Sequence, residues 1–197
     1  MPAFAGPLGL SLRVAAIATL CLAFAAPARL VRPLGHTPHL QPRLEAPRIW
    51  IDPQDAFALE RPEGERWSFR AGAQGPDGVT LPLLAVSPES GAEVIVQAAE
   101  RVSSMRGLAQ ALADKLSDEE GLHTGDIEKV GARGGEAYGF RFTVASAARG
   151  RVAVVRAGAH VALVIASWPV DAPQSVEEDV ASMIESLGPA PAEGSVF

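Results

Sequence analysis

Two apolar runs, residues 152–155 (VAVV) and 161–166 (VALVIA), constrain this chain more than any other feature. Neither alternates with polar residues, so a strand built from either has no face to turn toward water. Strands buried on both sides need cover on both faces of their sheet, and helices are the usual cover. The intervening Ala157-Gly158-Ala159-His160 suits a tight turn, which predicts adjacent strands running in opposite directions.

Two segments have the helical period needed for that cover. Met105, Leu108, Leu112 and Leu116 recur at three- and four-residue steps, and Ser103 or Ser104 is placed to accept the free amide hydrogens at the start. The spacing predicts a helix over 104–116, ending before Asp118, Glu119 and Glu120, whose charge would oppose the dipole at a helix C-terminus. Those three carboxylates read as a solvated acidic loop. Near the C-terminus, Val176, Val180, Met183, Ile184 and Leu187 form a second apolar stripe. Pro173 suits its first turn, and Ser175 with Glu178 has the spacing of a capping box. Glu177, Glu178 and Asp179 then sit at the positive end of the dipole.

Period-two alternation predicts the remaining strands. Phe57 and Leu59, then Trp67 and Phe69, alternate with polar or small residues around Arg61-Pro62-Glu63-Gly64, which reads as a hairpin. Residues 79–86 are apolar but contain Pro82, so a strand there is expected at a sheet edge. Residues 92–98 form a further strand. Tyr138, Phe140, Phe142 and Val144 line one face of another, against Gly139, Arg141 and Thr143. The expected class is α+β, an antiparallel sheet flanked by helices, built as one domain over residues 48–188 with a disordered tail at 189–197.

The opening Phe57-Ala58-Leu59-Glu60-Arg61-Pro62-Glu63-Gly64, with Trp67 shortly after, resembles the start of PsbP-like domains. A late Gly-x-Ala-Tyr-x-Phe-x-Phe strand at 135–142 and the closing Met183-Ile184-Glu185-Ser186-Leu187 are similar too. This chain departs from the pattern by placing Glu65 and Arg66 before Trp67. The resemblance spans residues 48–188 and implies an α/β/α sandwich. It implies no catalytic residue, since that superfamily has none in common, and its members include a photosystem II extrinsic subunit, a Ran-binding nuclear import factor and bacterial envelope proteins.

Ahead of the domain, residues 14–26 read VAAIATLCLAFAA, an uncharged apolar run with Arg13 just before it. Ala23-Phe24-Ala25 and Ala26-Pro27-Ala28 follow with signal-peptidase spacing, so residues 1–28 read as a secretory signal cut after Ala25 or Ala28. The run falls short of the ~20 residues of a spanning helix, so no stable membrane span is expected after cleavage. The expected location is the periplasm or the medium; the alternative is an N-terminal anchor in the inner membrane. Cys21 is the chain's single cysteine and would leave with the signal, which excludes disulfides and thiol chemistry from the mature protein. Residues 29–47 hold Pro33, Pro38, Pro42 and Pro47 and read as a semi-rigid spacer. His36 and His39 lie in that spacer, where Pro38 prevents the helix that would present both to a metal.

The chain carries a net charge of −6; from residue 48 onward, 13 basic face 22 acidic side chains. Phosphate backbones repel such a domain, so nucleic acid is not an expected partner. Within the domain only His123 and His160 offer an imidazole base, and there is no Gly-x-Ser-x-Gly elbow. His160 reads as a turn residue. His123, Asp126 and Glu128 lie close together without a recognised metal-ligand spacing. Gly131-Ala132-Arg133-Gly134-Gly135 is glycine-rich, but it enters a strand and lacks the phosphate-binding lysine. No catalytic residue, metal or cofactor is therefore assigned. Trp168-Pro169 ends the last strand, where the indole either caps the core or anchors a partner.

Two function classes remain. The first is an exported, non-enzymatic envelope protein that binds a protein partner or supports an assembly. The second is a carrier of a small molecule or lipid in a cavity between sheet and helix, signalled by Ala109, Ala111, Ala113, Ala162 and Ala166. Stabilisation by extracted lipid would favour the carrier.

Overall fold

The computed structural model describes residues 48–64, 66–74, 80–99 and 102–191. The signal with its cleavage positions Ala25 and Ala28, the spacer, and residues 192–197 of the tail lie outside them. Ten strands and two helices are described, in the order β1 (Ile49–Ile51), β2 (Ala58–Glu60), β3 (Ser68–Gln74), β4 (Thr80–Ser87), β5 (Ala92–Ala99), α1 (Met105–Ser117), β6 (Leu122–Thr124), β7 (Glu128–Lys129), β8 (Ala137–Val144), β9 (Ala148–Ala157), β10 (His160–Pro169) and α2 (Gln174–Ser186).

The doubly apolar runs become β9 and β10, paired in antiparallel register from His160–Ala157 to Pro169–Ala148. They lie at the centre of an eight-stranded sheet of order β3-β4-β5-β10-β9-β8-β6, with β7 also pairing with β8. Alternate residues then go to opposite cores. Val152, Val154, Val161, Leu163 and Ile165 pack with Met105, Ala109, Leu112, Ala113 and Leu116 of α1. Ala153, Val155, Ala162, Val164 and Trp168 pack with Val176, Val180, Met183 and Ile184 of α2. This is the two-sided cover that those strands require, and the architecture is the expected α/β/α sandwich. Phe57, Phe140 and Phe142 are almost wholly buried, and each such ring contributes about 1.5–3 kcal/mol of transfer free energy.

Both helices fall where the period placed them. Ser104 caps α1 by accepting the Gly107 amide at 3.0 Å. At α2 the capping box does not form. Pro173 is the N-cap, with no side-chain bond to the helix amides. Ser175 Oγ instead accepts from Arg66 at 3.0 Å, and Glu178 Oε1 accepts from Gln174 at 3.0 Å.

Two strand expectations are corrected. The 57–60 and 67–70 segments do not pair as a hairpin: β2 pairs with β1, and β3 pairs with β4. Their apolar side chains alternate in phase because Phe57, Leu59 and Trp67 enter the same core, and Phe69 packs against it. The 79–86 segment is not an edge, since β4 lies between β3 and β5. Pro82 is accommodated because β4 pairs with β5 only from Leu83 onward. Across from it, Gly72 has a φ of +64° and leaves the ladder between the Ala71–Leu83 and Ala73–Leu81 pairs. The proline rule thus holds locally, at the part of the strand without a second neighbour.

The segments before β3 and after α2 close the α2 side. The Trp67 indole donates to Asp179 Oδ2 at 2.8 Å, and Arg66 reaches Asp179 Oδ1 at 3.2 Å. After α2, Gly188 exchanges two backbone bonds with Ala58 at 2.9 and 3.0 Å, while Ser186 Oγ accepts the Glu60 amide at 2.9 Å. The glycine-rich 131–135 segment packs over the end of α2, its Arg133 and Gly134 amides donating to Glu185 and Leu187 carbonyls at 2.7 and 2.9 Å.

Candidate functional site: an arginine-lined cleft

Where α2 begins, the sheet beneath it runs out of apolar side chains. On β8 the α2-facing residues are Gly139, Arg141 and Thr143; on β9 they include Arg149 and Arg151. The register makes Arg141 and Arg151 direct partners and sets Arg149 opposite Thr143 on one side and Trp168 on the other. Three guanidinium groups are thus gathered on one patch of one sheet face. They line a cleft of about 520 Å³ together with Trp168, Ala172, Pro173, Gln174, Glu177, Glu178 and Ala181.

Each arginine is held differently. Arg141 pairs with Glu177 at 2.9 Å, and Arg151 with Glu128 at 3.7 Å. The Arg149 guanidinium donates to the Val170 carbonyl and has no carboxylate partner among the described residues. The Arg151 side chain is only 15% exposed, and its Nε is buried without a hydrogen-bond partner. Like charges opposite one another across a ladder are destabilising, and a buried unpaired donor adds a desolvation cost. The ion pairs to Glu177 and Glu128 offset part of that cost. Pro173, the N-cap of α2, lies at the cleft wall, so the uncapped amides and positive dipole end of α2 add to the field there.

Trp168 forms part of the cleft lining yet is only 5% exposed and belongs to the α2-side core. Of the two roles foreseen for it, the core-capping one matches this burial. The other candidates are scattered. His123 is exposed on the edge strand β6, opposite Thr143. Asp126 is exposed, and Glu128 is committed to Arg151. His160 is exposed at the start of β10, and Asp118, Glu119 and Glu120 are exposed after α1. Among the described residues, no three His, Cys, Asp or Glu side chains converge as metal ligands. The buried Asp52 carboxylate accepts the Gln54 and Ala56 amides at 3.0 and 3.2 Å, so it shapes its own loop. Ala109, Ala113, Ala162 and Ala166 are consumed by helix–sheet packing, and Ala111 faces outward.

No protein-family model matches the chain, and no curated protein sequence does. Among solved structures, it is similar to cyanobacterial PsbP from Synechocystis sp. PCC 6803, with a TM-score of 0.54 at 12% identity over 79% of this chain and 98% of that one. It also aligns with the Ran-binding protein Mog1p of Saccharomyces cerevisiae (TM-score 0.47, 13% identity, 71% and 93% covered). A third alignment is with LpqN of Mycobacterium tuberculosis, involved in cell envelope biogenesis (TM-score 0.44, 13% identity, 68% and 83% covered). The chain has the fold of cyanobacterial PsbP, as its opening and closing motifs led us to expect. At this identity the likeness is one of fold, and fold alone carries no function.

Proposed function

We propose that this chain, a PsbP-fold domain behind an export signal, is a non-enzymatic protein-binding module of the bacterial cell envelope that docks its partner at the arginine-lined cleft. The observation that carries this reading is the gathering of Arg141, Arg149 and Arg151 over Trp168 in a chain of net charge −6. Solubility favours dispersed charge, whereas a local field opposite in sign to the whole steers and orients an encounter. The cleft supplies what an interface anchor needs: a mostly buried indole at its base and arginines around it. Its charged lining supports docking of a polar group in preference to an acyl chain, so lipid carriage is the weaker reading. The non-enzymatic part of the reading rests on the two imidazoles of the domain, His123 on β6 and His160 at the start of β10, both exposed and outside the cleft lining. Export rests on residues 14–26, and among the described residues no helix is long and apolar enough to cross a membrane. In the alternative in which residues 14–26 stay as an inner-membrane anchor, the 29–47 spacer would hold the domain clear of the membrane surface.

The test is site-specific photo-crosslinking in the source bacterium, followed by fractionation. A benzophenone side chain at Gln174, on the cleft wall, should yield a discrete protein adduct in the envelope fraction. The same group at Asp118, beyond the end of α1, should not. Equal patterns from the two positions, or cytosolic protein retaining residues 1–28, would overturn the proposal.

A further inference from the structure

We infer that the group recognised in this cleft is a carboxylate, presented by an acidic peptide segment of the partner. The inference rests on the docking reading for its location and on the cleft's own chemistry for the ligand. Arg141 and Arg151 already hold carboxylates, Glu177 at 2.9 Å and Glu128 at 3.7 Å, whereas Arg149 holds only the Val170 carbonyl. Arg149 is therefore the guanidinium with capacity left, and its planar fork matches a carboxylate with two parallel bonds. Bringing a third carboxylate beside Arg149 and Arg151 relieves the repulsion that the ladder register imposes on the Arg141–Arg151 pair.

The same surroundings disfavour a doubly charged phosphate. Glu177 and Glu178 both line the cleft, so a second negative charge on the same seated group meets two carboxylates on the α2 wall, whereas the neighbouring carboxylates of an extended peptide lie further along its backbone. A singly charged group is matched by Arg149, the one lining arginine not already paired with a carboxylate among the described residues. The second charge of a phosphate dianion finds Arg141 and Arg151 committed to Glu177 and Glu128. The volume, about 520 Å³, accommodates a few side chains of an extended peptide. Ala172, Pro173 and the Trp168 ring give an apolar neighbour to the acidic residue an adjacent place to rest.

The experiment titrates the full chain with a capped hexaglutamate peptide, its hexaglutamine counterpart and inorganic phosphate, followed by calorimetry at low and physiological salt. Hexaglutamate should bind, hexaglutamine should not, and phosphate should bind more weakly than hexaglutamate. Arg149→Gln should weaken hexaglutamate binding at least tenfold. Arg156→Gln, which changes an arginine on β9 paired with Glu136 at 3.2 Å on the α1-facing side, should leave it unchanged. Unfolding curves of the two variants should coincide with the parent's, which separates lost binding from lost fold. Phosphate binding more tightly than hexaglutamate, or equal losses from the two variants, would overturn the inference. A Gln174 crosslink that survives Arg149→Gln would sink the carboxylate assignment while leaving docking intact. Hexaglutamate binding without any cellular crosslink would do the reverse.

Discussion

Arg141 and Arg151 stand directly opposite each other on β8 and β9, on the same sheet face, each leaning on a different carboxylate. A like-charged cross-strand pair costs a few tenths to about 1 kcal/mol. The exposed Arg141–Glu177 ion pair, with the arginine side chain 66% exposed, returns a similar amount. Removing Arg141 should therefore leave the fold as stable as before or slightly more so. For Arg141→Gln we expect a urea-unfolding free energy within about 0.5 kcal/mol of the parent, or above it. A loss beyond about 1 kcal/mol would show that the ion pair, and not the repulsion, dominates this corner.

A second contact works the other way. The Trp67 indole and the Arg66 guanidinium converge on the two oxygens of Asp179, whose side chain is only 12% exposed. Truncating Asp179 to Ala strands the indole N–H of a tryptophan that is itself 7% exposed. The expected cost is about 1–3 kcal/mol. Trp67→Phe removes the donor as well, so the double variant should lose less than the sum of the singles. Strictly additive losses in urea unfolding would mean that the bond contributes nothing.

What was legible in the chain follows from which interactions are local. The helical stripes at 104–116 and 176–187 and the alternation of 138–144 depend on spacing within one element, and the structure reproduces them within a residue or so. Pairing partners depend on distant segments. Phe57, Leu59 and Trp67 alternate correctly for a shared core, yet β2 joins β1 and not β3. Ser175 had capping spacing, but Arg66, 109 residues away, takes its hydroxyl. The cleft was missed for the same reason. Arg149 and Arg151, two apart on one strand, signal a shared face, and Arg141 joins them only once the β8–β9 register is known.

Gly150 has an unforeseen packing role. It pairs with Phe142 across the β8–β9 ladder, and a Cβ placed on it would lie 2.2 Å from the Phe142 ring and 2.4 Å from the Ala166 carbonyl oxygen. The ring is 2% exposed and packed into the α1-side core, so it has nowhere to retreat. We expect Gly150→Ala to lose about 1–3 kcal/mol by overpacking, read as a lower urea midpoint at unchanged slope. If Phe142→Leu in the Gly150→Ala background restores part of that loss, the ring is the clashing group. No restoration would assign the cost to the carbonyl.

The sheet also carries a carboxyl whose ionisation works against folding. Glu93 on β5 lies between Val86 of β4 and Ser167 of β10, and burial pushes its pKa above the ordinary value. The native state then binds this proton more tightly than the unfolded chain does. Stability from the neutral form is fully present below the ordinary carboxylate range of about 4–5, and declines as pH rises through the raised native pKa. Glu93→Gln keeps the shape and never ionises. Its melting temperature should exceed the parent's at pH 7, and the difference should shrink toward zero near pH 4. An equal difference at the two pH values would mean that Glu93 meets the same environment folded and unfolded, contrary to its place between two strands.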